Sequence, residues 1–240
     1  LSSALFLVDS LPAGQTYRLD GPEGHHAADV QRLRPGETLL LGDGKGGTAS
    51  AVVTAAGRGV LELRITGRWY ADKPAPALVV LQALAKGDRG ELAVQAMTEV
   101  GVDEIVPWAA ARSVVEWRGE RGGKALRRWE ATAREAAKQS RRAWVPVLAP
   151  VVSTVEACHR MSASTLVLDG RATHRLSTVE LPSAGEILVV VGPEGGIADE
   201  ELAAFVAAGA RQVRLGSTVL RTSTAGTAAL AVLSARLGRW

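Results

Sequence analysis

A single cysteine, Cys158, stands in this chain of 240 residues. It excludes an internal disulfide and any metal site built from several thiolates. Its neighbour His159 does not complete a nucleophilic pair, because adjacent residues of a helix point in different directions. A small thiol packed among apolar groups is the simpler reading. The other histidines, His25, His26 and His174, do not fall at metal-ligand spacing, and no metal is expected. Hydrophobic residues make up 47% of the chain, yet no apolar run approaches the length of a membrane span. The first nine residues lack a basic leader and alternate like a strand, so no signal peptide is expected. The missing initiator methionine suggests a processed or trimmed chain. Together these absences point to a soluble protein of a reducing compartment, the cytoplasm. Neither a Gly-x-Gly-x-x-Gly at a strand-to-helix turn nor a Walker-A order is present, which argues against a nucleotide- or dinucleotide-dependent enzyme of open α/β type. The glycine-rich stretch 42–47 lies between two strands and opens no helix, so it reads as a hairpin turn.

What is present is uneven charge. The net charge is only +3. Between Arg112 and Arg142, however, ten Lys or Arg stand against four Glu. Such a basic concentration suits a polyanion partner. A solvated helix face, with pairs such as Glu130 and Arg134 at i,i+4, is the competing reading. Basic side chains outnumber the available acids, which favours the polyanion.

Two patterns divide the chain. Up to about residue 70, short alternating segments at 4–8, 17–19, 37–41, 49–54 and 60–66 are punctuated by Gly and Pro, with helical spacing over 24–33. This predicts a small β-barrel with one helix. Lys73-Pro74-Ala75-Pro76 is a stiff linker and marks a boundary. Beyond it strand and helix alternate, the pattern of an α/β sheet. Strands are expected at 78–84, 105–108, 145–148, 166–168 and 187–191. Helices are expected at 91–100, 124–142 and 155–161, from Asp199 to Gly209, and from Thr222 to Leu237. The expected domains are therefore 1–72 and 77–240.

The last fifty or so residues carry the most specific signal. Ile187 to Val191 is a continuous run suited to a strand buried on both faces. Gly192-Pro193-Glu194-Gly195-Gly196 follows, with Asp199 placed to cap the next helix. About twenty residues on comes Leu215-Gly216-Ser217-Thr218-Val219-Leu220-Arg221-Thr222, ending in potential caps Thr222, Ser223 and Thr224. Two loops at the carboxyl ends of neighbouring strands make a ligand crevice. The pair resembles the SPOUT class of S-adenosylmethionine-dependent RNA methyltransferases, and within it the bacterial 16S ribosomal RNA (uracil-N3) methyltransferases. Gln82-x-x-x-Lys86-Gly87-x-x-x-Glu91, Glu99-x-Gly101, Ala136-x-x-Gln139-Ser140-x-Arg142 and the His26 to Gly36 stretch extend the resemblance over nearly the whole chain.

The resemblance implies an N-terminal PUA-like RNA-binding β-barrel and a C-terminal SPOUT α/β domain with a deep trefoil knot. It also implies a homodimer, with the alanine-rich stretch 225–235 able to supply a close helix interface or to pack within the monomer. The implied cofactor is S-adenosylmethionine, held by Leu168, Gly192, Glu194, Gly195, Leu215, Gly216, Val219, Leu220 and Ala225. The implied substrate is 16S ribosomal RNA, within the small ribosomal subunit, methylated at N3 of a uridine. Arg221 can stabilise charge on the uracil oxygen as an oxyanion donor does, or serve as a structural ion pair. Glu194 can orient the cofactor, accept the proton, or cap N–H groups of the glycine turn. Many relatives place Glu where Ser223 stands, so a mechanism requiring that carboxylate does not transfer. RNA contacts are expected from Arg32, Arg34, Lys86, Arg118, Arg121, Lys124, Arg127, Arg128, Lys138, Arg141 and Arg142. Trp117 or Trp129 can stack on a base, although helical placement favours core packing for Trp129. A non-enzymatic RNA-binding or ribosome-assembly module explains the barrel and the basic helix, but leaves the paired loops idle. RNA binding should fall steeply with salt in filter-binding titrations; a flat response between low and physiological ionic strength would remove the basic helix from the account.

Overall fold

Alternating apolar residues in the first seventy positions form a sheet with one buried face. In the computed structural model, which describes residues 3–240, these strands are β1 (Leu5–Leu7), β2 (Thr16–Leu19), β3 (Thr38–Gly42), β4 (Gly47–Gly57) and β5 (Val60–Tyr70). The order is β1-β3-β4-β5-β2, antiparallel except for the β1–β3 pair. Phe6, Leu39, Leu41, Val53, Leu61 and Leu63 fill its core. Helix α1 (Gly21–His25) runs on into a π-helical turn, His26–Val30, which adds Ala27 to that core. The helix thus ends before the expected residue 33: Arg32 takes φ 56°, the left-handed conformation that terminates helices. The hairpin joining β3 to β4 is organised by the Asp43 carboxylate, which accepts from the N–H groups of Lys45 and Gly47.

The chain divides into two compact units, and residues 137–145 from mid-sequence join the first of them. An uninterrupted second domain over 77–240 is therefore not what the contacts give. The first two residues of the expected 1–72 domain lie outside the described residues.

The second unit is built on β6 (Ala77–Ala83), β7 (Glu104–Trp108), β8 (Val147–Leu148), β9 (Thr165–Leu168), β10 (Glu186–Val191) and β11 (Arg211–Val213). All pairs are parallel, in the order β11-β9-β10-β6-β7-β8. The uninterrupted apolar run of β10 is explained by burial on both faces. Ile187, Val189 and Val191 join one core with α2 (Arg89–Glu99), α3 (Gly119–Gln139) and α6 (Thr222–Arg236). Leu188 and Val190 join the other, with Ala157 of α4 (Thr154–Cys158) and Phe205 of α5 (Asp199–Ala207). Arg160 clamps the starts of two strands, donating to both oxygens of Glu104 at 2.6 and 2.7 Å and to Glu186 at 3.0 Å. Among the described residues no helix is long and apolar enough to cross a membrane.

Several local expectations are corrected. Helix α3 begins five residues earlier than Lys124, at Gly119. Residues 145–148 contribute only the two-residue strand β8. Asp199 is not the cap of α5: Ala198 occupies that position, its N–H donating to the Glu201 carboxylate at 3.2 Å. Nor is α6 capped by a hydroxyl, since Arg221 sits at its N-cap and makes no side-chain cap bond. One face of the alanine-rich stretch packs within the chain, with Ala229, Leu230 and Leu233 fully buried and Gly226 against Met97. Trp129 is a core residue, 2% exposed, with the edge of Trp117 on it. A Cβ on Gly90 would meet the Trp129 indole at 2.7 Å, inside any tolerable contact. Gly90→Ala should therefore cost about 1–3 kcal/mol, read as a lower denaturant midpoint with an unchanged slope.

Candidate active site

The parallel sheet places the carboxyl ends of β10, β9 and β11 side by side. Three loops leave that edge: 192–198 after β10, the segment after Leu168, and 214–221 after β11. They enclose a cavity of about 590 Å³, within the range of small-molecule sites. Leu168, Gly192, Glu194, Leu215, Gly216, Val219, Leu220, Arg221 and Ala225 all line it. Gly195 does not line the cavity. Its carbonyl accepts from the Arg112 guanidinium at 3.3 Å, and a Cβ there would meet Arg112 Cβ at 3.2 Å.

A hydroxyl unites the loops. Thr222 is buried at the first turn of α6, and its Oγ1 donates to the Gly192 carbonyl at 2.9 Å. The same oxygen accepts from Gln82 Nε2 of β6 at 3.0 Å. Gly192 itself must lack a side chain, because a Cβ would strike Ile197 at 2.7 Å. Beside this frame one part of the cavity wall is apolar and open. Val219 is 95% exposed, and a Cβ at Gly216 would meet nothing within 4 Å. An uncovered valine and bare glycine backbone suit a flat ligand with a polar edge.

The cavity also carries charge that sequence reading missed. Arg89, Arg112, Asp169, Arg171, Asp199 and Arg214 line it. Glu194 accepts from Arg89 Nη1 at 3.0 Å and from the Lys86 N–H at 3.3 Å. Partial burial pushes the Glu194 carboxyl up, but hydrogen bonds from its own N–H, from Arg89 and from Lys86 outweigh it. The group is held below the ordinary glutamate range. Arg171 bridges Asp169 and Asp199, and those hydrogen bonds raise its own pKa. Asp199 and Arg214 flank the glycine motifs, but Arg89, Arg112, Asp169 and Arg171 lie elsewhere in the sequence, and the strand order brings them together. Thr222 carries a better signal, since it directly follows the Leu220-Arg221 pair at a potential cap position.

The expected RNA contacts separate. Arg32 and Arg34 are exposed in the first unit. Lys86, Arg121 and Arg127 are exposed. Arg118, Lys124 and Arg128 are also exposed, but pair with Glu116, Glu120 and Glu91. Arg141 is exposed and Arg142 half-buried. Lys138 is corrected: it is 7% exposed and its ammonium lies 2.9 Å from Glu23, so it holds the first unit together and offers no phosphate contact.

A family model described as an RNA methyltransferase domain matches residues 72–234, and a second, described as an RNA methyltransferase PUA domain, matches 19–66. The chain belongs to the RNA methyltransferase family. It is 49% identical to the ribosomal RNA small subunit methyltransferase E of Mycobacterium bovis, over 98% of this chain and 93% of the relative. The protein of the same name from Bacillus subtilis is 28% identical over 91% of this chain and 90% of its own. The crystal structure of ribosomal RNA small subunit methyltransferase E from Neisseria gonorrhoeae, bound to S-adenosyl methionine, superposes with a TM-score of 0.87 at 30% identity, covering 98% of each chain. The two-part architecture read from the first seventy residues and the α/β remainder is thus that of this family.

Two outcomes follow from the geometry. Thr222→Val leaves the Gly192 carbonyl and the Gln82 amide without their shared partner, and should cost about 1–3 kcal/mol in chemical denaturation. Glu194, with its pKa lowered on folding, contributes stability that is present above its unfolded pKa and lost as pH falls through the folded value. The stability gap between wild type and Glu194→Gln should therefore be largest near neutrality and close in acid; a gap independent of pH would contradict the ionised assignment.

Proposed function

We propose that this chain transfers a methyl group from S-adenosylmethionine to N3 of a uridine in 16S ribosomal RNA. The observation that carries the reading is the cavity bounded jointly by the loops after β9, β10 and β11, tied at Thr222 and rimmed with arginines. Its volume and open apolar wall fit an adenosyl group. Leu168, Leu215, Val219 and Leu220 supply the walls, and the Gly192 and Gly216 backbones would hold the polar edge of the group. The bound cofactor supplies an electrophilic methyl on a sulfonium. The protein then has to hold the uracil ring in line and manage one proton.

Arg221 is exposed at the N-cap of α6 and lines the cavity. It stabilises the negative charge that builds on the uracil oxygen as the N3 proton passes to solvent water at the open mouth of the cavity. Glu194 is ionised and already engaged by Arg89 and Lys86, which makes it a weak proton acceptor. Its role is to fix the first loop and the Arg89 guanidinium. No carboxylate stands at position 223, where Ser223 occupies the first turn of α6.

The finer features belong to the same proposal: a trefoil knot in the C-terminal domain, a homodimer, the small ribosomal subunit as substrate, and a cytoplasmic location. The first is supported by the path of the chain. Segment 174–176 pairs with Arg214 beyond β11, while α6 packs back on β10 and β6. Exposed Leu92 and Val114 offer apolar surface for a second copy.

Incubating small subunits from cells lacking the modification with protein and labelled S-adenosylmethionine, then digesting to nucleosides, should place label in 3-methyluridine. Label in another nucleoside would overturn the substrate. No label and no cofactor binding would favour the RNA-binding module. Arg221→Ala should lower kcat by roughly 10²–10³ without weakening cofactor binding in calorimetry.

A further inference from the structure

The arginines of the cavity are not equally occupied. Arg89 is paired with Glu194, and Arg171 with Asp169 and Asp199. Arg112, Arg214 and Arg221 line the same cavity and meet no carboxylate among the described residues. S-adenosylmethionine carries a sulfonium, an ammonium and one carboxylate. That carboxylate can match one of the three guanidiniums. The remainder would only repel the sulfonium, unless a second anion enters with the substrate.

We propose that Arg112 forms a binding site for a phosphate of the substrate RNA at the mouth of the cavity. The proposal rests on the methyl-transfer reading. Arg112 is exposed, and its stem lies across Gly195, where a Cβ would come within 3.2 Å of its own. A side chain at Gly195 would therefore press on Arg112. Its guanidinium makes a hydrogen bond to the neutral Gly195 carbonyl, at 3.3 Å. That leaves other donors of a fork whose shape matches a phosphate, and leaves its charge uncancelled. The loop that presents it is fixed from below. The Ala111 N–H donates to the buried Glu201 carboxylate at 2.8 Å, and the Ser113 N–H closes a turn on Ala110. Glu201 is in turn held by Thr154 at 2.7 Å. A cation pre-positioned on glycine backbone, beside the site of chemistry, orders the nucleotide flanking the target with little further entropy loss.

The test compares wild type, Arg112→Gln, Arg112→Lys and Gly195→Ala, the last displacing Arg112 by its added methyl. Binding to small ribosomal subunits lacking the modification is measured against salt, with calorimetry for S-adenosylmethionine and steady-state methyl transfer alongside. Arg112→Gln should reduce the slope of log affinity against log salt by about 0.7–0.9, one phosphate contact. It should raise KM for subunits about tenfold, more than it lowers kcat, and leave cofactor affinity as in wild type. Arg112→Lys should keep the wild-type slope with weaker binding, and Gly195→Ala should follow Arg112→Gln. An unchanged slope in Arg112→Gln would overturn the site, as would a fall in cofactor affinity, which would assign Arg112 to the cofactor carboxylate. Wild-type protein that binds no subunits would overturn the methyl-transfer reading as well, whereas active wild type with an unaltered Arg112→Gln would overturn this site alone.

Discussion

The Thr222 hydroxyl is the point on which the cavity depends. It has one hydrogen to give and lone pairs to accept with, and both functions are used. It donates to the carbonyl of Gly192 at the end of β10 and accepts from the Gln82 amide at the end of β6. A buried amide donor and a strand-end carbonyl both gain from partners, and losing such a bond costs about 1–3 kcal/mol. One side chain bonds both, alongside the Gln82 amide's second bond to the Ala83 carbonyl, and it belongs to the first turn of α6. The glycine loop and the loop that ends at Arg221 are therefore held in fixed relation, although about thirty residues separate them in the chain. Valine at this position would match the shape and supply neither bond.

Burial pattern made the scaffold legible. Period-two alternation marked the first sheet, and the unbroken run from Ile187 to Val191 marked a strand with helices on both sides, which the two cores on either face explain. The glycine loops were legible because bare backbone is needed where a ligand or another chain segment comes close. Which of those two needs a glycine serves is not written locally. Gly216 opens to the cavity, whereas Gly195 accommodates Arg112, more than eighty residues earlier in the chain. The same gap separates the reading of Lys138 from its place. Helical spacing shows that a lysine lies on a basic helix, but not that its ammonium is buried against Glu23 from the N-terminal unit. Caps depend on position in the same way. Asp199 has cap chemistry but stands one residue inside the helix, where it pairs with Arg171, while Glu201 accepts from the N–H of the N-cap residue Ala198.

Electrostatics then divides the labour of the site. Carboxylates of the site are engaged by arginines, Glu194 by Arg89 and the Asp169–Asp199 pair by Arg171, and Glu194 is held below the ordinary glutamate range. With further arginines on its rim, such a site stabilises negative charge well. Methylation of a weakly acidic imide nitrogen suits it, because the demand falls on the oxygen that carries the developing charge. The arginines on the cavity rim give it a surplus of positive charge.

The most direct measurement is a crystal structure grown with S-adenosylmethionine. The adenosyl group should lie between the Gly192 to Ile197 loop and the Leu215 to Leu220 loop, against Leu168, with the Thr222 hydrogen bonds intact and Arg112 still lying on Gly195. Cofactor bound at another surface, or a Thr222 hydroxyl released from Gly192 and Gln82 when the cavity fills, would contradict this arrangement.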